Sequence, residues 1–169
     1  MIMGSKIELE PLDREHLQYL VSSRNAEDSM AGSYQYWHIA AAEESRWYEQ
    51  YLNDPTQRRY IIVHAQLYVG WVGLTHIDYK DQCAELGIRV DAGFRKRGIA
   101  TEAVSMLTEW AFQEVNLHRL YSEVFEGNEA SVRLFSKLGW RHWGVKTRAH
   151  FQGGNWLNVH CYELLRSGL

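Results

Sequence analysis

The sequence predicts an α+β fold: a mixed, mostly antiparallel central sheet flanked by helices. Three observations carry that prediction. Strand-like runs follow one another between Arg59 and Val90 with no helical stretch between them, which excludes an all-parallel doubly wound sheet. From Cys83 to Leu138 the pattern then becomes strand, helix, strand, helix, the order of a βαβ-like unit. The chain closes with two strand-like runs around the turn Gln152 to Asn155 (QGGN), a hairpin signal.

Taken in order, Ile7 to Leu12 (IELEPL) alternates apolar and polar residues and reads as a strand. Asp13 is placed to cap a helix through Arg14 to Asn25, because its carboxylate can accept from the orphan amides of the first turn. Ala26 to Trp37 (AEDSMAGSYQYW) reads as irregular and aromatic. Ala40 to Leu52 reads as a helix with Trp47, Tyr51 and Leu52 near one face, ended by Asp54-Pro55. Arg59 to Ala65 and Tyr68 to Ile77 read as a strand pair with a short connection, and Cys83 to Val90 as the next strand. A helix follows from about Ala100 to Val115, with Ala103, Leu107, Trp110 and Ala111 at helical spacing. Arg119 to Phe125 is a strand, and Asn128 to Leu138 a helix with Ser131, Leu134, Phe135 and Leu138 along one stripe.

The 169 residues fit one domain, and the absence of linkers, repeats or low-complexity tracts extends it over residues 1–169. A net charge of −3 argues against a nucleic-acid binder, although it leaves room for a local basic patch. Seven Trp and ten Tyr mean either core packing or an aromatic cleft. The two cysteines, Cys83 and Cys161, have no paired spacing, so reduced thiols in a cytoplasmic protein are expected. The first residues, MIMGSKIELEPL, have no long apolar run, so neither a signal peptide nor a membrane span is expected. Eight histidines are scattered with no HxxxH pair on a helix, and no metal site is expected.

The most informative stretch is Arg95 to Ala103 (RKRGIATEA), which follows a strand and opens a helix. Unpaired amides and the positive dipole end of a helix bind anions. Gly98 lets the backbone approach a ligand with no Cβ in the way, and Arg95, Lys96 and Arg97 add attraction for a multiply charged group. The stretch is neither a Walker A loop nor a GxGxxG fingerprint. Taken alone, it describes either a diphosphate site or a solvated basic turn.

Its surroundings resemble the GNAT superfamily of N-acetyltransferases. Arg95, Gly98 and Ala100 match that family's Arg/Gln-x-x-Gly-x-Gly/Ala signature at a strand-to-helix turn. Asn128 to Trp140 (NEASVRLFSKLGW) is similar to its second signature, an Asn followed by a helix ending in Leu-Gly-Phe, with Trp140 in place of the final Phe. The likeness runs from Ile7 to Leu165 and resembles the branch of ribosomal-protein and polyamine N-acetyltransferases. It implies a GNAT-like acyl-coenzyme A N-acyltransferase fold and acetyl-coenzyme A as cosubstrate. The pyrophosphate is then expected on the amides of Arg97, Gly98, Ile99, Ala100 and Thr101. The pantetheine arm is expected to pair with the backbone of Ile88, Arg89 and Val90, where this strand splays from its parallel neighbour. Asn128 is expected to bond the arm, with Ser131 nearby, Phe135 near the thioester and Lys137 toward the adenosine.

Acyl transfer needs a neutral amine, yet an alkyl amine has a pKa of about 10.4. Glu85, on the strand beside the arm, is the first candidate for the base. His76 is the second, and each has a plain alternative as an ordinary strand or sheet-edge side chain. The oxyanion is expected on an amide near Ile88 to Val90. Many family members place a thiol-protonating Tyr four residues before the second signature's Gly. Here that residue is Phe135, and Tyr162 is the substitute considered. Cys83 and Cys161 have no evident activating partner, which disfavours a covalent route.

The acceptor is expected to be a small-molecule or peptide amine: a polyamine, amino sugar, aminoglycoside or protein N-terminus. Ser33 to His38, Trp71 and His150 to Trp156 are candidate walls, and Glu27, Asp28, Glu43 and Glu44 could attract a cation or be plain helix charges. Direct transfer in a ternary complex is expected, with no nucleic-acid or membrane partner and with a homodimer left open. A catalytically silent acyl-coenzyme A sensor is the rival, kept open by Phe135.

Overall fold

The computed structural model describes residues 1–30, 33–35 and 37–166. Ala31, Gly32 and Tyr36, part of the segment read as irregular and aromatic, lie outside the described residues.

The alternating runs become strands β1 (Ile2–Met3), β2 (Glu8–Pro11), β3 (Arg58–His64), β4 (Leu67–Asp78), β5 (Cys83–Val90), β6 (Arg119–Phe125), β7 (Arg141–Gln152) and β8 (Asn155–Leu165). Among the described residues they form one sheet of order β1-β2-β3-β4-β5-β6-β8-β7, in which every pairing is antiparallel except β5 with β6. The expected mixed, mostly antiparallel sheet is therefore the architecture observed.

The helices are α1 (Leu17–Arg24), α2 (Glu27–Met30), α3 (Ala41–Leu52), α4 (Ile99–Gln113) and α5 (Glu129–Lys137). Asp13 caps the start of the first helical segment as expected, but that segment opens as a 3-10 turn, Arg14–His16, before α1. The stretch read as irregular contains the short helix α2. Leu52 is 54% exposed, so the inner face of α3 is Glu44, Tyr48 and Tyr51 with Trp47 beside them. Leu52 stands at the last position, beyond the turns that lie on the sheet.

Period-2 strands put successive side chains on opposite faces, and two cores follow. One face carries Ile62, Val72, Leu74, Ala84 and Leu86 under Ile99, Ala103, Leu107 and Ala111 of α4. The other carries Ile61 and Val63 under Leu17, Leu20, Tyr48 and Tyr51 of α1 and α3. Each fully buried Leu or Ile contributes about 1.5–3 kcal/mol. The second core covers only part of its face, and the uncovered part holds the candidate site.

Candidate active site

β5 and β6 run parallel, yet only Cys83, Ala84 and Glu85 pair, with Arg119, Leu120 and Tyr121. Beyond Glu85 the two strands part, while on their far edges β6 pairs along its whole length with β8 and β5 stays in register with β4 through Val90. Asp91 donates to the Val69 carbonyl across β4 at 2.9 Å. Strand amides alternate in direction, so the amides of Ile88 and Val90 face the open side of the fork. Arg89 turns its side chain away, pairing with Asp28 at 3.2 Å and Asp91 at 3.5 Å, and its amide faces β4.

At the end of β5 a 3-10 turn, Ala92–Phe94, leads into α4. Gly98 is the residue before the helix and has φ +83°, a left-handed conformation that glycine adopts without strain. A Cβ there would meet only open space and Lys6 Nζ at 3.7 Å. Lys6 was not legible from the sequence. It reaches this turn because Glu102, in the first turn of α4, accepts from the amide of Lys6 at 2.9 Å and from the Ser5 hydroxyl at 3.0 Å. Burial opposes ionisation of Glu102, but these donors hold its carboxyl below the ordinary range. The three cations of the sequence separate. Arg95 bends back to Asp28 and to the Val90 carbonyl at 3.0 Å, so it braces the loop. Lys96 and Arg97 are exposed, with Arg97 lying over Phe94 at 5.4 Å.

After β6, Asn128 caps α5 by accepting from the Ser131 amide at 3.1 Å. The side chain expected to hold the arm thus also fixes the helix beside the fork. Phe135 is 2% exposed, packed 4.8 Å from Trp140 and stacked 5.8 Å from Tyr162. Tyr162 is itself buried, and desolvation followed by the Glu129 charge raises its phenol above the usual value. Lys137 is exposed at the far end of α5.

Glu85 stands where the fork opens, and its Oε2 lies 2.9 Å from His76 Nδ1. A bulge after Thr75 places His76 at φ +52° and turns its ring to the carboxylate, while leaving 74% of its side chain exposed. The two residues that the sequence offered as rival bases form one pair.

Glu85 lines a cavity of about 240 Å³ with Tyr34, Arg59, Trp71, Gly73 and Gly87. A neighbouring cavity of about 480 Å³ shares Tyr34, Arg59 and Trp71 and adds Ser33, Gln35 and Trp37. Cross-strand register makes the floor: Arg59 lies opposite Gly73, and Gly73 opposite Gly87. The two bare glycines leave a trough, and Trp71 packs over the second of them, 3.3 Å from where its Cβ would stand. Tyr34 closes one side, donating to Glu123 at 2.7 Å and packing on Phe125 and His150. Of the expected walls, Ser33, Tyr34, Gln35, Trp37 and Trp71 line the cavities. His150 lies buried beneath Tyr34 instead.

The acidic residues expected to attract a cation are mostly engaged elsewhere. Asp28 holds Arg89 and Arg95, Glu44 is 1% exposed against Arg24 at 2.8 Å, and Glu43 accepts from the Ala40 amide at 2.8 Å. Only Glu27 stands exposed at the surface with no partner among the described residues. Both thiols are pushed up, first by burial and then by neighbouring carboxylates, which lowers their nucleophilicity. No cluster of metal-binding side chains is present among the described residues.

A strand fork ending in an open helix N-terminus, with a carboxylate and an aromatic trough beside it, suits a thioester laid along the fork and an amine brought from the trough. The Acetyltransferase (GNAT) domain family matches residues 6–141. The spermidine N(1)-acetyltransferase of Escherichia coli K12 is 28% identical over 163 residues, covering 94% of this chain and 86% of that protein. The Vibrio cholerae spermidine N(1)-acetyltransferase is 25% identical over 166 residues, covering 98% and 96%. A crystal structure of spermidine N-acetyltransferase from Vibrio cholerae in complex with CoA and spermine superimposes with a TM-score of 0.93 at 24% identity, covering 97% of this chain and 98% of that one. With the family matched over most of its length, the chain belongs to the GNAT acetyltransferases and is an acetyl-coenzyme A-dependent N-acetyltransferase.

Proposed function

We propose that the acceptor amine enters through the Tyr34–Trp71 trough and that Glu85 removes its proton, directly or through one water. The observation that carries this is the position of Glu85, shared between the trough and the mouth of the β5–β6 fork. The neutral amine attacks the thioester carbonyl, the new N–C bond forms as the C–S bond breaks, and the thiolate leaves. The amine's proton goes to the Glu85–His76 pair, and solvent returns one to the thiolate, because Phe135 has none to give. The Ile88 amide, facing the fork, stabilises the oxyanion.

For the coenzyme, the same proposal assigns the pyrophosphate to the amides of Ile99, Ala100 and Thr101 around Gly98, with Lys96, Arg97 and Lys6 as nearby cations. The arm runs along the Ile88 to Val90 backbone, within reach of Asn128 and Ser131. Relatives named for spermidine put polyamines on the panel of primary amines to be tried.

Glu85→Gln is expected to lower kcat about 10²-fold at neutral pH while coenzyme affinity changes less than twofold. Thiol release across the amine panel, with a parallel coenzyme titration, measures both. Undiminished kcat in that variant removes Glu85 as the base.

We further propose that residues 1–169 act as one domain, that copies associate through the β7–β8 edge, and that the protein works in the cytoplasm. The edge exposes Trp143, Val145, Phe151 and Trp156, and a dodecameric structure exists for the Vibrio cholerae spermidine N-acetyltransferase. No helix among the described residues is long and apolar enough to cross a membrane, and both cysteines are free. Limited proteolysis that released a stable fragment would argue against one domain, and recovery with membranes would argue against the cytoplasm.

A further inference from the structure

The two cavities beside Glu85 have an unexpected charge balance. Their described lining holds three arginines, Arg24, Arg58 and Arg59, and one carboxylate, Glu85 itself. Arg24 is matched by Glu44, its Nη1 donating to both carboxylate oxygens at 2.8 and 3.1 Å. Arg58 donates to the carbonyls of Asp54 and Gln57 at 2.9 and 2.6 Å. Arg59 is different: its guanidinium lies over the Trp47 ring at 4.8 Å and the Trp71 ring at 4.4 Å, and no described residue accepts a hydrogen bond from it.

Ring contacts engage the guanidinium's face and leave its rim of N–H donors unused. Burial, then the neighbouring Arg24 charge, pushes Arg59 down to about 10, with the Glu44 charge opposing them. The Trp71 indole N–H, in the same wall, is buried without a partner. Buried donors are nearly always paired, so the Trp71 N–H, with the unused rim of half-buried Arg59 beside it, describes a place for an acceptor group. A polyamine would set its positive charges against Arg59, with Glu85 as the one carboxylate among the described lining residues.

Register fixes how far apart the two ends lie. Arg59, Gly73 and Gly87 form a row across β3, β4 and β5, and Glu85 is one alternation further along β5 on the same face. Strand spacing and rise place the Cα atoms of Arg59 and Glu85 about 12 Å apart, a gap that the two inward side chains narrow to the span of a small molecule.

We propose that the preferred acceptor is a primary amine that also carries a carboxylate, with the carboxylate docked on Arg59 beside Trp71 and the amine held at Glu85. A guanidinium rim matches a planar carboxylate by paired N–H donors, and such charge-assisted pairs are the stronger class of hydrogen bond. This rests on the acetyltransferase reading above and narrows its acceptor.

The test uses matched sets of equal length: 4-aminobutyrate, 5-aminopentanoate and 6-aminohexanoate, their carboxamides, the corresponding diamines, and spermidine. Thiol release from acetyl-coenzyme A gives kcat/KM, and calorimetry with coenzyme A present gives binding whether or not acetyl moves. The full-length protein is expected to favour a carboxylate over its carboxamide and diamine by about tenfold in both readouts. Arg59→Met should bring that ratio close to one, and Arg59→Lys should keep part of it. Coenzyme affinity unchanged in both variants shows that they fold. Preference for diamines or spermidine in the unaltered protein overturns the proposal, as does a carboxylate preference that survives Arg59→Met. Carboxylate-selective binding with no turnover of any amine would support this inference while sinking the proposed chemistry at Glu85.

Discussion

At Glu163 two guanidinium groups meet one buried carboxylate. Arg141 donates through Nε at 3.0 Å and Arg119 through Nε at 2.8 Å, joining β6, β7 and β8 through a single side chain. The Arg141 bonds, opposed by burial and reinforced by Arg119, hold this carboxyl below its ordinary value of 4.5. Folding therefore favours the ionised form. Its stabilisation is complete above about pH 4.5 and is lost as pH falls through the lower, folded value. Urea unfolding midpoints between pH 6 and pH 3 should fall more steeply for the unaltered protein than for Glu163→Gln, and parallel curves would refute the assignment. Single residues also show where the sequence was readable. Glu85 was singled out because its strand is local and its motif neighbours are near. That Arg95 braces the loop was not legible, because its partner, Asp28, comes from another part of the chain.

Among the elements, α4 and the turn before it were read almost to the residue, since a glycine, a small residue and a 3.6-residue apolar period all act locally. Gly98→Val is expected to cost about 1–2 kcal/mol, because a β-branched residue resists the φ of +83° found there. The same variant should weaken coenzyme A binding at least tenfold by placing its side chain in the anion's space, with Gly98→Ala between the two. Titration with coenzyme A measures this, and full affinity in Gly98→Val would move the pyrophosphate elsewhere. The β5–β6 fork is an element-scale feature of another kind. Each strand was legible alone. That they pair for only three residues is a relation between two strands separated by the whole of α4, and neither strand's own pattern states it. α2 escaped notice because four residues carry too little periodicity to register.

At the scale of the whole molecule, β7 is an outer strand of the sheet, 12 residues long, and it exposes Trp143, Val145 and Phe151 while Trp156 stands across from Phe151. Long apolar edges are usually covered, and a second copy is the occupant proposed here. Trp143→Asp with Trp156→Asp should leave the circular dichroism spectrum unchanged and reduce the sedimenting mass. A monomer before substitution would refute association. The sequence by itself determined the order of elements, the mixed sheet and the glycine turn that opens α4, because each is written in neighbouring residues by period, capping and turn chemistry. Only the tertiary structure decided which charges stay free and what the trough is built from. Lys6 reaches the Gly98 turn through the Glu102 clamp, and Arg59 and the glycine pair join Trp71 through strand register; pairings between distant segments leave no local trace in the chain.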